Sequence, residues 1–339
     1  MKWRHWIGVA ISVACLWWVL RGVSWPAVWG ALRTARLEYL AATAVGAIVV
    51  GVLIRALRWR VFLPPATHVP ARELVNATGI GLMANNVLPA RMGEFVRAYV
   101  LGRRSSVPVT TAFGSLFVER LFDAAALVLI LITAIALAPV PEWMIVLARI
   151  GGAIFLLLLL FEVLLIVYPR VFFRVLHATT ARFLPPRWEA ELEGLLSKFV
   201  EGFQLLREPR RVAVALLLTF LLWGANGFLF YLGFLAFDLG RVGVDGAMIV
   251  QSVAALGISI PSSPGFIGTF QASVVKALSA FGVDKDLALS YSIGYHISQY
   301  LPVTLYGFYL AWRANLSWRE IETSEERVEE RLGDAAEIA

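Results

Sequence analysis

Long apolar runs dominate this 339-residue sequence and constrain its fold more than any other feature. A helix needs about 17–25 apolar residues to cross the hydrocarbon core of a bilayer. The chain is 59% hydrophobic and 16% charged, whereas soluble domains carry roughly 25% charged residues. This composition excludes a soluble enzyme, a disordered protein and a disulfide-stapled secreted domain. Six runs are predicted to span the membrane as helices: 6–20, 39–62, 113–137, 145–168, 212–237 and 287–312.

Two further apolar segments, 74–101 and 247–281, are interrupted at their centres. Non-helical backbone at membrane depth is tolerated only inside protein or beside a water-filled cavity. We therefore predict two re-entrant broken-helix hairpins in an all-α polytopic membrane protein. The interrupting residues are Asn85, Asn86, Pro89 and Gly93 in the first segment, and Pro261, Pro264, Gly265 and Gly268 in the second.

The basic residues predict the orientation of the bundle. With the N-terminus in the cytoplasm, eighteen lysines and arginines lie inside and six outside, as the positive-inside rule requires. Arg55, Arg58 and Arg60 are counted among the inside charges. Both termini are then cytoplasmic, and the protein is predicted to be multi-pass in a bacterial or archaeal cytoplasmic membrane.

The order of these elements predicts an inverted-topology repeat. Residues 1–140 and 141–316 each contain a span, a surface helix, a span, a hairpin and a span, and the second half starts on the opposite side of the membrane. The surface helices are predicted after the first span, with Trp25 and Trp29 as interfacial anchors, and at 192–206. Residues 317–339 form an acidic cytoplasmic tail, for which we expect a solvated segment or a docking site for a soluble or membrane protein partner.

Six ionisable residues lie at membrane depth, where each costs at least about 2.5 kcal/mol and is retained for a partner or a function. Arg91, Glu94 and Arg97 recur along the half-helix after Pro89; Glu119, Arg120 and Asp123 lie early in the next span. One interpretation is a salt-bridge lattice, for example Arg91 with Glu119 and Glu94 with Arg120. Such a salt-bridge lattice does not exclude a function for the same six residues.

The functional interpretation is an anion site. Half-helices beginning near Ala90 and Gly265 would point free N–H groups at a cavity between the hairpins, and Arg91 would add a forked phosphate donor. His296 either packs in the last span or lines this cavity. The predicted headgroup-binding residues are Asn85, Asn86, Arg91, Glu94, Arg97, Glu119, Arg120, Asp123, Ser262, Ser263, Gly265, Gly268, Gln271 and His296.

Other chemistries find little support in the sequence. Four scattered histidines and the single Cys15 predict no metal site and no intramolecular disulfide. No nucleotide-binding motif or catalytic constellation is found, so no cofactor and no enzymatic activity are predicted. The basic residues flank apolar runs, which indicates an anionic membrane face as partner and not nucleic acid. The oligomeric state is left open.

The strings NNVLPARMGEFVRAYVL, FVERLFDAAAL and IPSSPGFIGTFQ resemble segments of the lysylphosphatidylglycerol synthase transmembrane, or flippase-like, family. The resemblance covers 6–312 and implies a protein that moves lipids between leaflets. Gln271 stands where many members carry an acid, and the aminoacyl-transferase domain of the synthases is not expected here. Residues matching the two family motifs are Asn86, Pro89, Arg91, Gly93, Glu94 and Arg97, and Glu119, Arg120 and Asp123.

Three functions follow as hypotheses. The first is a translocase that moves a phospholipid or polyprenyl-phosphate headgroup through the cavity while its tails stay in the bilayer. The second is a scaffold or accessory subunit of a glycosyltransferase or lipid-modifying system, docked through 317–339. The third is an intramembrane lipid-phosphate enzyme with Glu119 or Asp123 as general base.

Overall fold

The computed structural model describes residues 2–65, 67–88, 92–137, 141–167, 208–260, 262–324 and 326–328. In these ranges all regular secondary structure is helical. The helices are α1 (Lys2–Leu20), α2 (Trp25–Thr34), α3 (Leu37–Phe62), α4 (Ala71–Val87), α5 (Gly93–Arg104), α6 (Val109–Leu137), α7 (Glu142–Val167), α8 (Pro209–Ala236), α9 (Gly243–Ser259), α10 (Thr269–Ser279), α11 (Lys285–Arg313) and α12 (Trp318–Glu322).

The first interrupted segment forms a helical hairpin of α4 and α5. Its legs are antiparallel and very close, because a Cβ added at Gly81 would overlap the side chain of Arg97 and the carbonyl of Gly93. Only glycine allows two helix backbones to approach this closely. The two legs of the predicted hairpin are therefore packed against each other, and its re-entrant course in a membrane stays a prediction.

The second interrupted segment forms a hairpin of α9 and α10. Gly257 of α9 lies directly against Ser273 of α10, so a Cβ there would overlap the serine side chain. The chain between the legs passes through a short 3-10 turn, Pro264–Phe266, in which Gly265 has φ +67°. This positive φ favours glycine at that position.

The two hairpins meet at α11. A Cβ on Gly265 would lie 2.6 Å from the ring of Tyr300 and 3.3 Å from the carbonyl oxygen of Asn86. Each long helix after a hairpin also packs on the other hairpin: α6 contacts α5 and α9, and α11 contacts α10 and α4. Asn86 of the first hairpin and Gly265 of the second consequently lie close to each other beside α11.

Within α3, residues Val49–Ile54 form a π-helical stretch directly before Arg55. Such stretches shift the helical register and are frequent at functional sites. The C-terminal end of α3 is enclosed by protein, because Trp59, Phe62 and Leu63 are buried.

In the described part of the chain, three helices are long and apolar enough to cross a membrane: Leu37–Phe62, Pro209–Ala236 and Gly240–Ser259. The pair Gly8–Leu20 and Trp25–Thr34 passes the same test together, with a bend of 91°. Helices lie at all six predicted runs, but the number of spans and the repeat stay predictions. The predicted surface helix at 192–206 lies outside the described residues.

The half-helices start later than the sequence suggests. The predicted starts were near Ala90 and Gly265, whereas α5 begins at Gly93 and α10 at Thr269. The reason is the turn chemistry: Gly265 belongs to the 3-10 turn, and Gly268 has φ +94° immediately before α10. Pro89, Arg91 and Pro261 lie outside the described residues.

The start of the C-terminal tail is docked on the bundle. Ile321 and Val328 are buried, Glu320 pairs with Arg103, and Arg327 donates to the hydroxyl of Tyr99 at 2.7 Å. The expectation of a solvated segment is thus wrong for these residues, because their apolar face covers α5. The residues from 329 onward lie outside the described ranges.

Candidate functional site: a buried arginine–carboxylate cluster

A cluster of charged side chains lies where α3, α5, α6 and α8 converge. Asp123 is the fifteenth of 29 residues in α6, and Trp223 is the fifteenth of 28 in α8, so the cluster reaches the middle of both helices. Glu119 and Arg58 are almost completely buried. Charges at such a position are retained for each other or for a ligand.

Glu119 is surrounded by three guanidinium groups. Arg97 grips it in a bidentate fork, with both terminal nitrogens 3.2 Å from its two oxygens. Arg120 donates to Oε1 at 2.7 Å, and the Nη2 of Arg58 lies 3.0 Å from the same oxygen. Fork pairing of this kind is the strongest arrangement available to an arginine and a carboxylate.

Asp123 sits one helical turn further along α6 and has its own set of donors. Its Oδ1 accepts from Arg58 at 2.7 Å and from the indole of Trp223 at 2.9 Å. Its Oδ2 lies 3.2 Å from Arg120 and 3.8 Å from Arg55. Every carboxylate oxygen of Glu119 and Asp123 therefore faces at least one donor or cation, although the buried Oδ2 of Asp123 accepts no hydrogen bond from the described residues.

Packing fixes the arginines in place. The guanidinium of Arg97 lies 4.4 Å from the ring centroid of Trp59, whose indole donates to Ser115 at 2.9 Å. Arg58 also donates to Thr219 at 2.9 Å. Gly81 leaves the space that the aliphatic part of Arg97 occupies.

The cluster has an excess of positive charge. Four guanidinium groups (Arg55, Arg58, Arg97 and Arg120) face Glu119 and Asp123, with Glu94 at the edge, 3.9 Å from Arg120. Within the part of the chain that the structure describes, the buried Nε atom of each of these four arginines has no hydrogen-bond partner. Unpaired buried donors with excess positive charge favour an anion as an additional partner.

One edge of the cluster is accessible. The side chains of Arg120 and Glu94 are 35% and 22% exposed, whereas Glu119 is fully buried. Asn85 lies beside this edge and donates to Glu94 at 3.4 Å. Its amide oxygen accepts from the backbone N–H of Gly93 at 2.7 Å, so this N–H at the start of α5 is not free for an anion as expected.

The remaining predicted residues form a second group around the hairpin tips. Asn86 donates to Thr304 at 2.8 Å, and its carbonyl oxygen accepts from Tyr300 at 3.3 Å. These contacts join the end of α4 to α11. The structure does not place Gln271 and His296 in the arginine cluster.

In the second hairpin, Gln271 connects the start of α10 to the last long helix. Its Oε1 accepts from the N–H of Gly268 at 2.8 Å, and its Nε2 lies 2.9 Å from Nδ1 of His296. The ring of His296 packs between Phe270 and Tyr300. His296 thus fits the packing interpretation, and the amide of Gln271 caps the helix that was expected to offer free N–H groups.

Ser262 and Ser263, in the break of the second hairpin, differ in their hydrogen bonds. The backbone N–H of Ser263 donates to Ser12 of α1 at 2.8 Å, and its hydroxyl donates to the carbonyl of Ile267. The buried hydroxyl of Ser262 has no hydrogen-bond partner among the described residues. Gly268 lies against the backbone of Ser12 as well, so α1 covers this turn.

Sequence reasoning missed part of the cluster. Arg55 and Arg58 were assigned to the cytoplasmic charges that set the topology, but Arg58 is 1% exposed and pairs with Glu119 and Asp123. Their position inside the apolar run 39–62 was the available signal. Thr219 and Trp223 carry no such signal in the sequence. Among the residues described, no group of three or more His, Cys, Asp or Glu could hold a metal ion.

Comparison with known proteins gives a consistent result. A sequence profile of the lysylphosphatidylglycerol synthase TM region matches residues 5–307. A UPF0104 membrane protein of Pyrococcus horikoshii is 26% identical over 89% of this chain and 93% of its own length. A second, of Methanocaldococcus jannaschii, is 23% identical over 68% of this chain and 95% of its own length. The glycosyltransferase AglD of Haloferax volcanii is 40% identical over 85 residues, which are 25% of this chain and 14% of that protein.

Proposed function

Because the chain belongs to the lysylphosphatidylglycerol synthase transmembrane family, we propose that it is a translocase that moves a phosphate-bearing lipid between leaflets without covalent chemistry. The observation that carries this proposal is the excess of guanidinium groups over carboxylates in the middle of the bundle. Arginine forks complement phosphate oxygens, and the unpaired Nε atoms would find acceptors there.

The headgroup would enter at the accessible edge formed by Arg120 and Glu94. Arg120 contacts Glu119, Asp123 and Glu94 at once, so it can give up a carboxylate partner for a phosphate while its neighbours hold the remaining charges. Arg91, which lies outside the described residues, stays in the proposed set. The Asn85 and Gln271 caps move the proposed anion site away from the two helix N-termini and onto the guanidinium groups.

The proposed transport cycle uses an inverted repeat of about six spans and two re-entrant hairpins, in which the halves rock to expose the headgroup alternately. The reciprocal packing of α6 and α11 on both hairpins supports this symmetry. We place both termini in the cytoplasm of a prokaryotic cell, following the distribution of basic residues. Any driving force would come from an ion gradient or from the lipid gradient.

Flipping of a fluorescent phospholipid in proteoliposomes tests the proposal. Arg120→Gln removes the edge guanidinium and is expected to reduce flipping at least tenfold. Arg36→Gln is the matched control, because Arg36 forms an exposed ion pair with Asp238 at 2.6 Å. Flipping by folded Arg120→Gln protein at the wild-type rate would contradict the assignment.

The second candidate is an accessory role in a glycosyltransferase system. The observation that favours it is the similarity of 85 residues to a protein named as a glycosyltransferase. Product analysis separates the candidates: a translocase returns labelled lipid unchanged, and an enzyme with Glu119 or Asp123 as base would alter it. An accessory subunit would do neither alone and would change the activity of a co-purified partner.

A further inference from the structure

A cavity of about 670 Å³ lies where the end of α3 meets the start of α8. The expected orientation places this end of the bundle at the cytoplasmic membrane surface. None of the arginine cluster residues lines it. Its described lining residues are Arg60, Val61, Leu63, Pro64, Pro65, Thr67, His68, Glu208, Arg210, Arg211 and Val214.

Of the charged residues that line this cavity, some are paired within the protein and others are free to bind a ligand. Arg211 donates to the carbonyl oxygens of Val61 and Leu63 at 2.7 Å each and pairs with Glu208 at 3.4 Å. It thereby closes the C-terminal end of α3, where backbone carbonyls lack helical partners. Arg60 and Arg210 are exposed at the rim, and Arg60 uses one terminal nitrogen on the carbonyl of Val69.

Apolar surface continues from the cavity along α8. Val214 lines the cavity, and Leu217 and Leu221 follow it at i+3 and i+7 on the same helix face. These three side chains are 40%, 60% and 58% exposed. A basic rim at the membrane surface that leads into an exposed apolar stripe matches an amphiphile with an anionic head and an acyl chain.

We propose that this cavity binds the headgroup of an anionic phospholipid from the adjacent leaflet, with Arg60 and Arg210 as phosphate ligands and an acyl chain on the Val214–Leu217–Leu221 face. The volume lies within the range of about 300–1,000 Å³ found for small-molecule sites. Because Glu208 is already neutralised by Arg211, the available rim charge is positive. A free phosphate would use the same two arginines but would gain nothing from the stripe.

This site is separate from the proposed translocation site. Val214 and Thr219, which contacts the cluster, are five residues apart on α8, about 7.5 Å along the axis. The inference does not rest on the translocase proposal, because a bound lipid here is detectable whether or not any lipid is moved.

Native mass spectrometry of the purified full chain, titrated with phosphatidylglycerol and separately with phosphatidylcholine, tests the proposal. The Arg60→Gln/Arg210→Gln variant should bind phosphatidylglycerol about 30-fold more weakly than the wild type, since each basic residue near an anionic headgroup contributes about fivefold. Arg36→Gln, which removes an exposed arginine far from the cavity lining, should leave this binding unchanged. Excess inorganic phosphate should not displace the lipid, because it lacks the acyl chain.

Equal phosphatidylglycerol affinity of the wild type and the double variant would overturn the site. Equal affinity of the wild type for phosphatidylcholine would overturn the anionic selectivity. Complete displacement by inorganic phosphate would overturn the lipid assignment in favour of a free anion. Replacing Leu217 with Ser supplies a second variant: it should weaken lipid binding without affecting fold, and no change would contradict the acyl-chain contact.

Discussion

Arg97 of α5 grips Glu119 of α6 through two parallel contacts of 3.2 Å, with both side chains buried in the middle of a membrane protein. The pair ties the second leg of the first hairpin to the long helix that follows it. Glu119 also faces Arg58 and Arg120, so the carboxylate is the shared centre of three cations. Removing Glu119 would therefore take a counter-charge from three arginines, whereas removing one arginine would leave Glu119 with two.

This asymmetry predicts unequal effects of mutation. Glu119→Gln leaves three guanidinium groups without their common counter-charge and should cost about 3–5 kcal/mol of unfolding free energy. Arg97→Gln should cost less, because Arg58 and Arg120 still neutralise Glu119. Chemical denaturation in detergent micelles measures both, with Arg36→Gln as an exposed control expected to lose at most about 1 kcal/mol. A larger loss of unfolding free energy for Arg97→Gln than for Glu119→Gln would contradict the role of Glu119 as the shared counter-charge of the three arginines.

Close packing of the first hairpin predicts a strong effect at one glycine. Gly81→Ala forces a Cβ into Arg97 and the Gly93 carbonyl, so we expect a loss of about 1–3 kcal/mol, measured by thermal unfolding. Gly30→Ala is the control, since open space surrounds that position in α2. There alanine should be neutral or stabilise the helix by about 0.5–1 kcal/mol. Equal stability of the two variants would argue against the close approach of α4 and α5.

Mutation of Gln271 tests whether its side chain caps the start of α10 in the second hairpin. Gln271→Leu removes the partner that the Gly268 N–H and the Nδ1 of His296 have in Gln271, and it should cost about 1–3 kcal/mol. Gln271→Glu keeps an oxygen for the Gly268 N–H and should lose less. The comparison is made by thermal unfolding at one pH. If the glutamate variant is as unstable as the leucine variant, the cap is not the main role of this side chain.

The docked C-terminal segment predicts a change in protease sensitivity. Ile321 is 2% exposed, so Ile321→Asp would place a charge in the apolar contact and should release residues 318–328 from α5. Faster cleavage of this segment by trypsin, which cuts after Arg319 and Arg327, is the expected result. Glu326→Gln, at an exposed position of the same segment, serves as the control. Unchanged cleavage of Ile321→Asp would contradict the docking.

Much of the fold could be predicted because apolar runs and Pro–Gly breaks determine where membrane helices form and stop. Helices occur at all six predicted runs, and both interrupted segments form hairpins. The exact starts of α5 and α10 could not be predicted, since they depend on side-chain caps from Asn85 and Gln271. The docking of Ile321 depends on a partner surface that only tertiary structure provides.

Part of the site could also be predicted from the pattern of apolar and charged residues. Glu94, Arg97, Glu119, Arg120 and Asp123 stand out as charges within apolar sequence, and they do come together. Arg58 was misassigned, because an arginine near the end of a span can be solvated or buried, and the sequence does not distinguish the two. Thr219 and Trp223 join the cluster from α8, a helix without charged residues at that level.

The central claim is that guanidinium groups in the bundle recognise the phosphate of a lipid headgroup. The most direct measurement compares flipping rates in proteoliposomes of two lipids with the same labelled chain, phosphatidylglycerol and a phosphate-free glycosyl-diacylglycerol. The wild type should move the phosphate-bearing lipid at least tenfold faster, and Arg120→Gln should abolish the difference. Equal rates for the two lipids in the wild-type protein would contradict phosphate recognition by the cluster.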